Sequence, residues 1–185
     1  MATITIPKKL YEALRKHGID VETKAIEALL KEAQLDPNEE AEIHLELAQK
    51  LLNEGEALIE KDPIQAGEKL YKAAEESVKA LAIHYNLKDI LEKARDRGRW
   101  TVTELEKAVL QISSRAGEWF RRAWDAAWTL HVWGFHEAKF DSEDVREREP
   151  DIKRIIEEAI KAIGRDGENK DFKDTTDNKH SETTH

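Results

Sequence analysis

The chain has no cysteine among its 185 residues. That excludes disulfides and thiolate zinc sites, and with them a small cross-linked secreted scaffold. It has no apolar run of membrane-spanning length, and the start "MATITIPKK" has no apolar core of the kind a secretory leader carries. A cytoplasmic protein with no membrane partner is the expectation. Apolar residues make up only 39% of the chain. The spacings HExxH, GxGxxG, GxSxG, the P-loop and the EF-hand loop are all missing, so the common metalloprotease, nucleotide, hydrolase and calcium templates do not apply. No repeat spans the sequence.

Charge is abundant instead. Charged residues reach 37% and the net charge is −9, against an average charged share of about a quarter. Such a profile suits amphipathic helices with ion-paired faces, and it recurs in hot-adapted proteins. An acidic body disfavours whole-surface attraction to nucleic acid. The charge is uneven, however. Residues 37–68 carry nine acids against Lys50 and Lys61, whereas "KARDRGR" sets Lys93, Arg95, Arg97 and Arg99 against Asp96 alone. Arg95, Arg97 and Arg99 are therefore candidate phosphate contacts, with solvated surface as the plainer reading.

Local signals describe an all-α chain. "TITIP" alternates Thr3 and Thr5 with Ile4 and Ile6, a short strand pattern ended by Pro7. Two short helices follow, "KKLYEALRK" before Gly18 and "DVETKAIEALLKEAQ". Asp36-Pro37 and Asp62-Pro63 each open a longer helix, the aspartate capping and the proline at the first position. Ala41, Leu45, Ala48, Leu52, Gly55 and Ile59 form the apolar face of one; Ala66, Leu70, Ala74, Ser77 and Leu81 form that of the other. A tight turn makes these two antiparallel neighbours. "LKDILEKARDRG" predicts a shorter helix ending at Gly98, and Thr101 with Glu104 a capping box for the next. "SEDVRERE" is helical in propensity, and a last amphipathic helix is expected from Pro150 to Gly164. Residues 165–185 lack periodicity and read as a disordered tail.

The stretch "RRAWDAAWTLHVWGFHEAKF", Arg121 to Phe140, holds three of the five tryptophans. On an α-helix running from about Ala116 to Gly134, its aromatics are core. Arg122, Asp125 and Thr129 share a narrow polar stripe that His136 joins one turn further on. His131 falls beside Trp124 and Trp128 on the apolar side, neutral and donating one hydrogen bond. Arg122, Asp125, Thr129, His131 and His136 together make a candidate polar groove. Five residues apart on an α-helix, His131 and His136 point in different directions, so no metal site, catalytic residue or cofactor is assigned.

"AGEKLYKAAEESVKALA" (Ala66 to Ala82) and "AWDAAWTLHVWGFHEAKF" (Ala123 to Phe140) resemble the archaeal PaREP family, itself similar to the HEPN superfamily of helical bundles. The resemblance implies an up-and-down bundle of four or five helices over residues 36–164 that pairs with a second copy. Many HEPN proteins are metal-independent ribonucleases with an arginine, four to six intervening residues, and then a histidine. None of His17, His44, His84, His131, His136, His180 or His185 has one in that window. Residues 1–35 are similar to a ribbon-helix-helix unit, which implies a homodimer through paired strands. Thr3 and Thr5 would then face a DNA groove, with Lys8 and Lys9 near phosphates. The sequence alone thus supports three readings: a non-catalytic homo-oligomeric module for interaction or nucleic-acid association, a DNA-binding regulator, and a ribonuclease or nucleotide-binding protein.

Overall fold

A computed structural model describes residues 3–17 and 21–177, the side chains of Thr23 and of residues 165–177 excepted. The chain divides into two compact units, Met1–Asp36 and Pro37–His185. Among the described residues every regular element is helical.

The first unit pairs α1 (Lys8–Lys16) with α2 (Val21–Glu32). The strand expected before them is not formed: residues 3–7 belong to no regular element. A strand exists only through hydrogen bonds to a neighbouring strand, and none of the described residues supplies one. Gly18, the expected stop of α1, lies outside the described residues. No residue of α1 is buried.

The second unit is a bundle of α3 (Pro37–Leu58), α4 (Pro63–His84), α5 (Lys88–Arg97), α6 (Val102–Ala116), α7 (Glu118–Thr129) and α8 (Ser142–Asp177). Asp62 caps α4 as its sequence predicts, its carboxylate accepting the backbone N–H of Gln65 at 3.0 Å. Gly98 ends α5 with φ 65, the left-handed geometry glycine adopts at low cost. The Thr101–Glu104 box is altered. The Thr101 hydroxyl donates to the Glu104 carboxylate rather than accepting from the helix backbone.

Helix α4 is the centre, packing on α3, α5, α6, α7 and α8. Its predicted face is buried without exception, from Ala66 through Leu70, Ala74 and Ser77 to Leu81. Gly55 lets α3 approach closely, since a Cβ there would stand 2.9 Å from Leu70.

Helix α8 departs from expectation at both ends. It begins at Ser142, not Pro150, because Asp141 accepts the backbone N–H groups of Glu143 and Asp144. It then runs through Pro150 and past Gly164 to Asp177. Val145, Ile152, Ile155, Ile156, Ala159 and Ile163 form one buried face that runs across Pro150. Burial of that face, on the order of 1.5–3 kcal/mol per large side chain, outweighs a proline penalty of about 3 kcal/mol. Of the expected tail, the backbone of residues 165–177 continues α8, and residues 178–185 lie outside the described residues. No helix among the described residues is long and apolar enough to cross a membrane.

Candidate functional site

After Thr129, α7 widens into a π-helical segment, Leu130–His136. The Glu137 N–H reaches back five residues to the Val132 carbonyl at 2.9 Å. In an α-helix residues i and i+4 stack; in a π-helix, whose hydrogen bonds span five residues, i and i+5 do. His131 and His136 therefore meet, Nε2 to Nε2 at 3.1 Å. The α-helical divergence expected of this pair is overturned by the wider turn.

Helix α4 supplies the other half of the site. Gly67 faces the π segment, where a Cβ would come within 3.3 Å of the Leu130 carbonyl oxygen. The bare glycine sets α4 close enough for Glu68 to reach the next residue. The His131 Nδ1–H donates to the Glu68 carboxylate at 2.7 Å, and Lys72 lies 3.8 Å from the other oxygen. Tyr71 stacks on the His131 ring at 4.1 Å, while Trp128 and Phe135 flank it at 5.5 and 6.3 Å. Burial, and after it the charges of Glu75 and Glu68, push the Tyr71 hydroxyl far above its ordinary range. The tyrosine is a neutral wall.

His131 keeps 19% and Glu68 14% of its side-chain surface exposed, and His136 is exposed. His131 thus sits at the edge of the core. The chain Glu68–His131–His136 can pass a proton or present imidazole lone pairs. Glu68 fixes the proton on His131 Nδ1 and leaves Nε2 as the reactive nitrogen.

The remaining groove candidates do not join it. Arg122 pairs with Glu118 at 3.5 Å, and the Thr129 hydroxyl donates to the Asp125 carbonyl, both within α7. Trp124 is fully buried, its indole N–H donating to Glu106 at 2.7 Å. Trp133 is 53% exposed. The basic stretch is largely engaged with its own chain. Arg95 lies 3.7 Å from Glu40, and Arg97 donates to Glu104 at 2.7 Å. Arg99 is exposed, as are Thr3, Thr5, Lys8 and Lys9.

A second cluster escaped the sequence reading. Inside the α3–α4 contact, the His44 Nδ1–H donates to Glu76 at 2.6 Å, and Lys79 bridges Glu76 and Glu75, each at 2.7 Å. Lys79 is 2% exposed. Burial raises the Glu76 pKa, but Lys79 and His44 outweigh it and bring the carboxyl to about 2. No local signal announces such a cluster, because His44 and Glu76 are 32 positions apart.

The comparisons with known proteins agree with this architecture. Residues 43–156 match the model of the archaeal PaREP1/PaREP8 family. The chain belongs to this family. Its PaREP1/PaREP8 region includes Glu68, His131 and His136 as well as the buried His44–Glu76–Lys79 cluster. A crystal structure of a protein from Sulfolobus solfataricus is 37% identical with a TM-score of 0.54, covering 67% of this chain and 96% of that one. A solution structure of the Orf c02003 protein is 35% identical with a TM-score of 0.52, covering 67% and 91%. No curated protein matches the chain.

Proposed function

We propose that the chain is a non-catalytic homodimeric module that associates with nucleic acid, with residues 1–36 making the dimer. One observation supports this reading: the first unit leaves several of its large apolar side chains exposed. Ile4, Leu10, Tyr11 and Leu29 are all exposed. A unit below about 40 residues does not bury enough apolar surface to stand alone, and pairing is the usual remedy. Two copies of "TITI" aligned antiparallel would form a ribbon with its isoleucines on the covered face. Thr3 and Thr5 would lie on the open face beside Lys8 and Lys9, as in a ribbon-helix-helix protein on DNA. Light scattering at micromolar concentration tests the pairing. A mass near twice 21.3 kDa is expected, with Ile4→Asp shifting it toward the monomer. A wild-type monomer sinks the reading.

The Glu68–His131–His136 chain favours a second reading, acid–base chemistry on a nucleotide or RNA, because a carboxylate-held imidazole is how a general base is oriented. RNA cleavage by the wild type and its loss in His136→Ala would put this reading first.

A further inference from the structure

We infer that His131 and His136 form a binding site for one divalent transition ion of borderline softness, Zn²⁺, Ni²⁺ or Cu²⁺, with Glu68 holding His131 from behind. The distance is the first argument. Two metal–nitrogen bonds of about 2.05 Å place their nitrogens about 2.9 Å apart at a right angle and about 3.3 Å apart at the tetrahedral angle. The Nε2 atoms stand 3.1 Å apart, inside that interval. The rings are also set edge to face, with 76° between their planes.

The second argument is the far side of His131. A metal-binding imidazole characteristically donates its other N–H to a carboxylate, which fixes the tautomer and raises ligand basicity. The bond from His131 Nδ1 to Glu68 has that form, and Tyr71 stacked at 4.1 Å holds the ring plane. The third is access. His136 is exposed and His131 partly so, so an ion reaches the paired nitrogens without the bundle opening. Imidazole donors select zinc, copper and nickel over magnesium or calcium. Among the described residues no group of three or more His, Asp or Glu side chains is set to hold an ion alone. With two nitrogens from the protein, the bound ion keeps further coordination positions for water or for an incoming donor.

This site stands apart from the dimer reading, and its test leaves assembly aside. Zn²⁺ would be titrated into the full chain by calorimetry at pH 7.5, with Ni²⁺ as a second probe and Mg²⁺ as a control. One ion per chain is expected, with no Mg²⁺ heat. His136→Ala lies on the surface and should fold normally, and it should weaken binding at least tenfold. Glu68→Gln should weaken it about 10–100-fold, the usual effect of losing such a support. Replacing His180 and His185 together by asparagine should leave binding unchanged. Absence of Zn²⁺ binding, equal affinity in His136→Ala, or loss of binding in the His180/His185 variant would overturn the inference.

Discussion

His131 and His136 meet through Nε2 at 3.1 Å because the helix between them closes its hydrogen bonds over five residues. The two histidines differ in what else they touch. His131 also stacks on Tyr71 and bonds Glu68, whereas His136 is exposed. His131→Ala should cost about 2 kcal/mol through the lost stack and the stranded carboxylate. His136→Ala should stay within about 0.5 kcal/mol. Urea unfolding of the two variants checks the difference, and equal losses would contradict it.

Gly67 should not tolerate a side chain. A Cβ there presses on the Leu130 carbonyl at 3.3 Å, and a backbone oxygen yields little. Gly67→Ala should destabilise by about 1–3 kcal/mol despite alanine's better helix propensity. In an NMR spectrum it should shift the His131 ring signals. A stabilised variant would show that α4 and the π segment have slack.

The two tryptophans at the extremes of burial should behave oppositely. Trp124→Ala opens a cavity and orphans Glu106, for a loss of about 3–5 kcal/mol at a fully buried position. Trp133→Ala, at a position 53% exposed, should change stability by less than about 0.5 kcal/mol. Thermal unfolding separates the two cases.

The buried charge cluster gives a pH dependence with a definite sign. The Glu76 carboxyl is lowered from 4.5 to about 2 on folding, so the unfolded chain takes up its proton first. The stabilisation is complete above about pH 4.5 and drains away as pH falls toward 2, amounting to roughly 3 kcal/mol. Urea midpoints across that window should fall with acid, and Glu76→Gln should flatten the slope. Lys79→Met removes the buried cation from between two acids and should destabilise at pH 7 by about 3–5 kcal/mol.

Tyr71 should remain protonated in alkali for as long as the bundle is folded, because burial disfavours the phenolate and Glu75 and Glu68 repel it. A phenol raised in the folded state contributes stability below about pH 10 that is lost as pH climbs beyond it. Ultraviolet titration should show one tyrosine ionising only together with unfolding. In Tyr71→Phe that late component should vanish.

The sequence by itself determined where most helices begin and which faces they bury, because those signals are local. Asp62-Pro63 starts α4, Gly98 stops α5 in the left-handed conformation, and the 3.6-residue spacing of Ala66, Leu70, Ala74, Ser77 and Leu81 predicts a buried stripe. The unusual content of the Trp/His stretch also marked where to look. Only the tertiary structure decided the rest. Helix α8 passes Pro150 because one buried face, from Val145 to Ile163, outweighs that unfavourable residue. Lys79 and Glu76 lie inside because His44 on α3 and Glu75 beside them supply hydrogen-bond and ion-pair partners there. Glu68 reaches His131 across 63 positions because Gly67 admits α4 to the π segment, and the π turn then brings His136 to the same point. Helix caps and apolar periodicity act between neighbours in sequence. A partner chosen by packing is encoded by the whole chain at once.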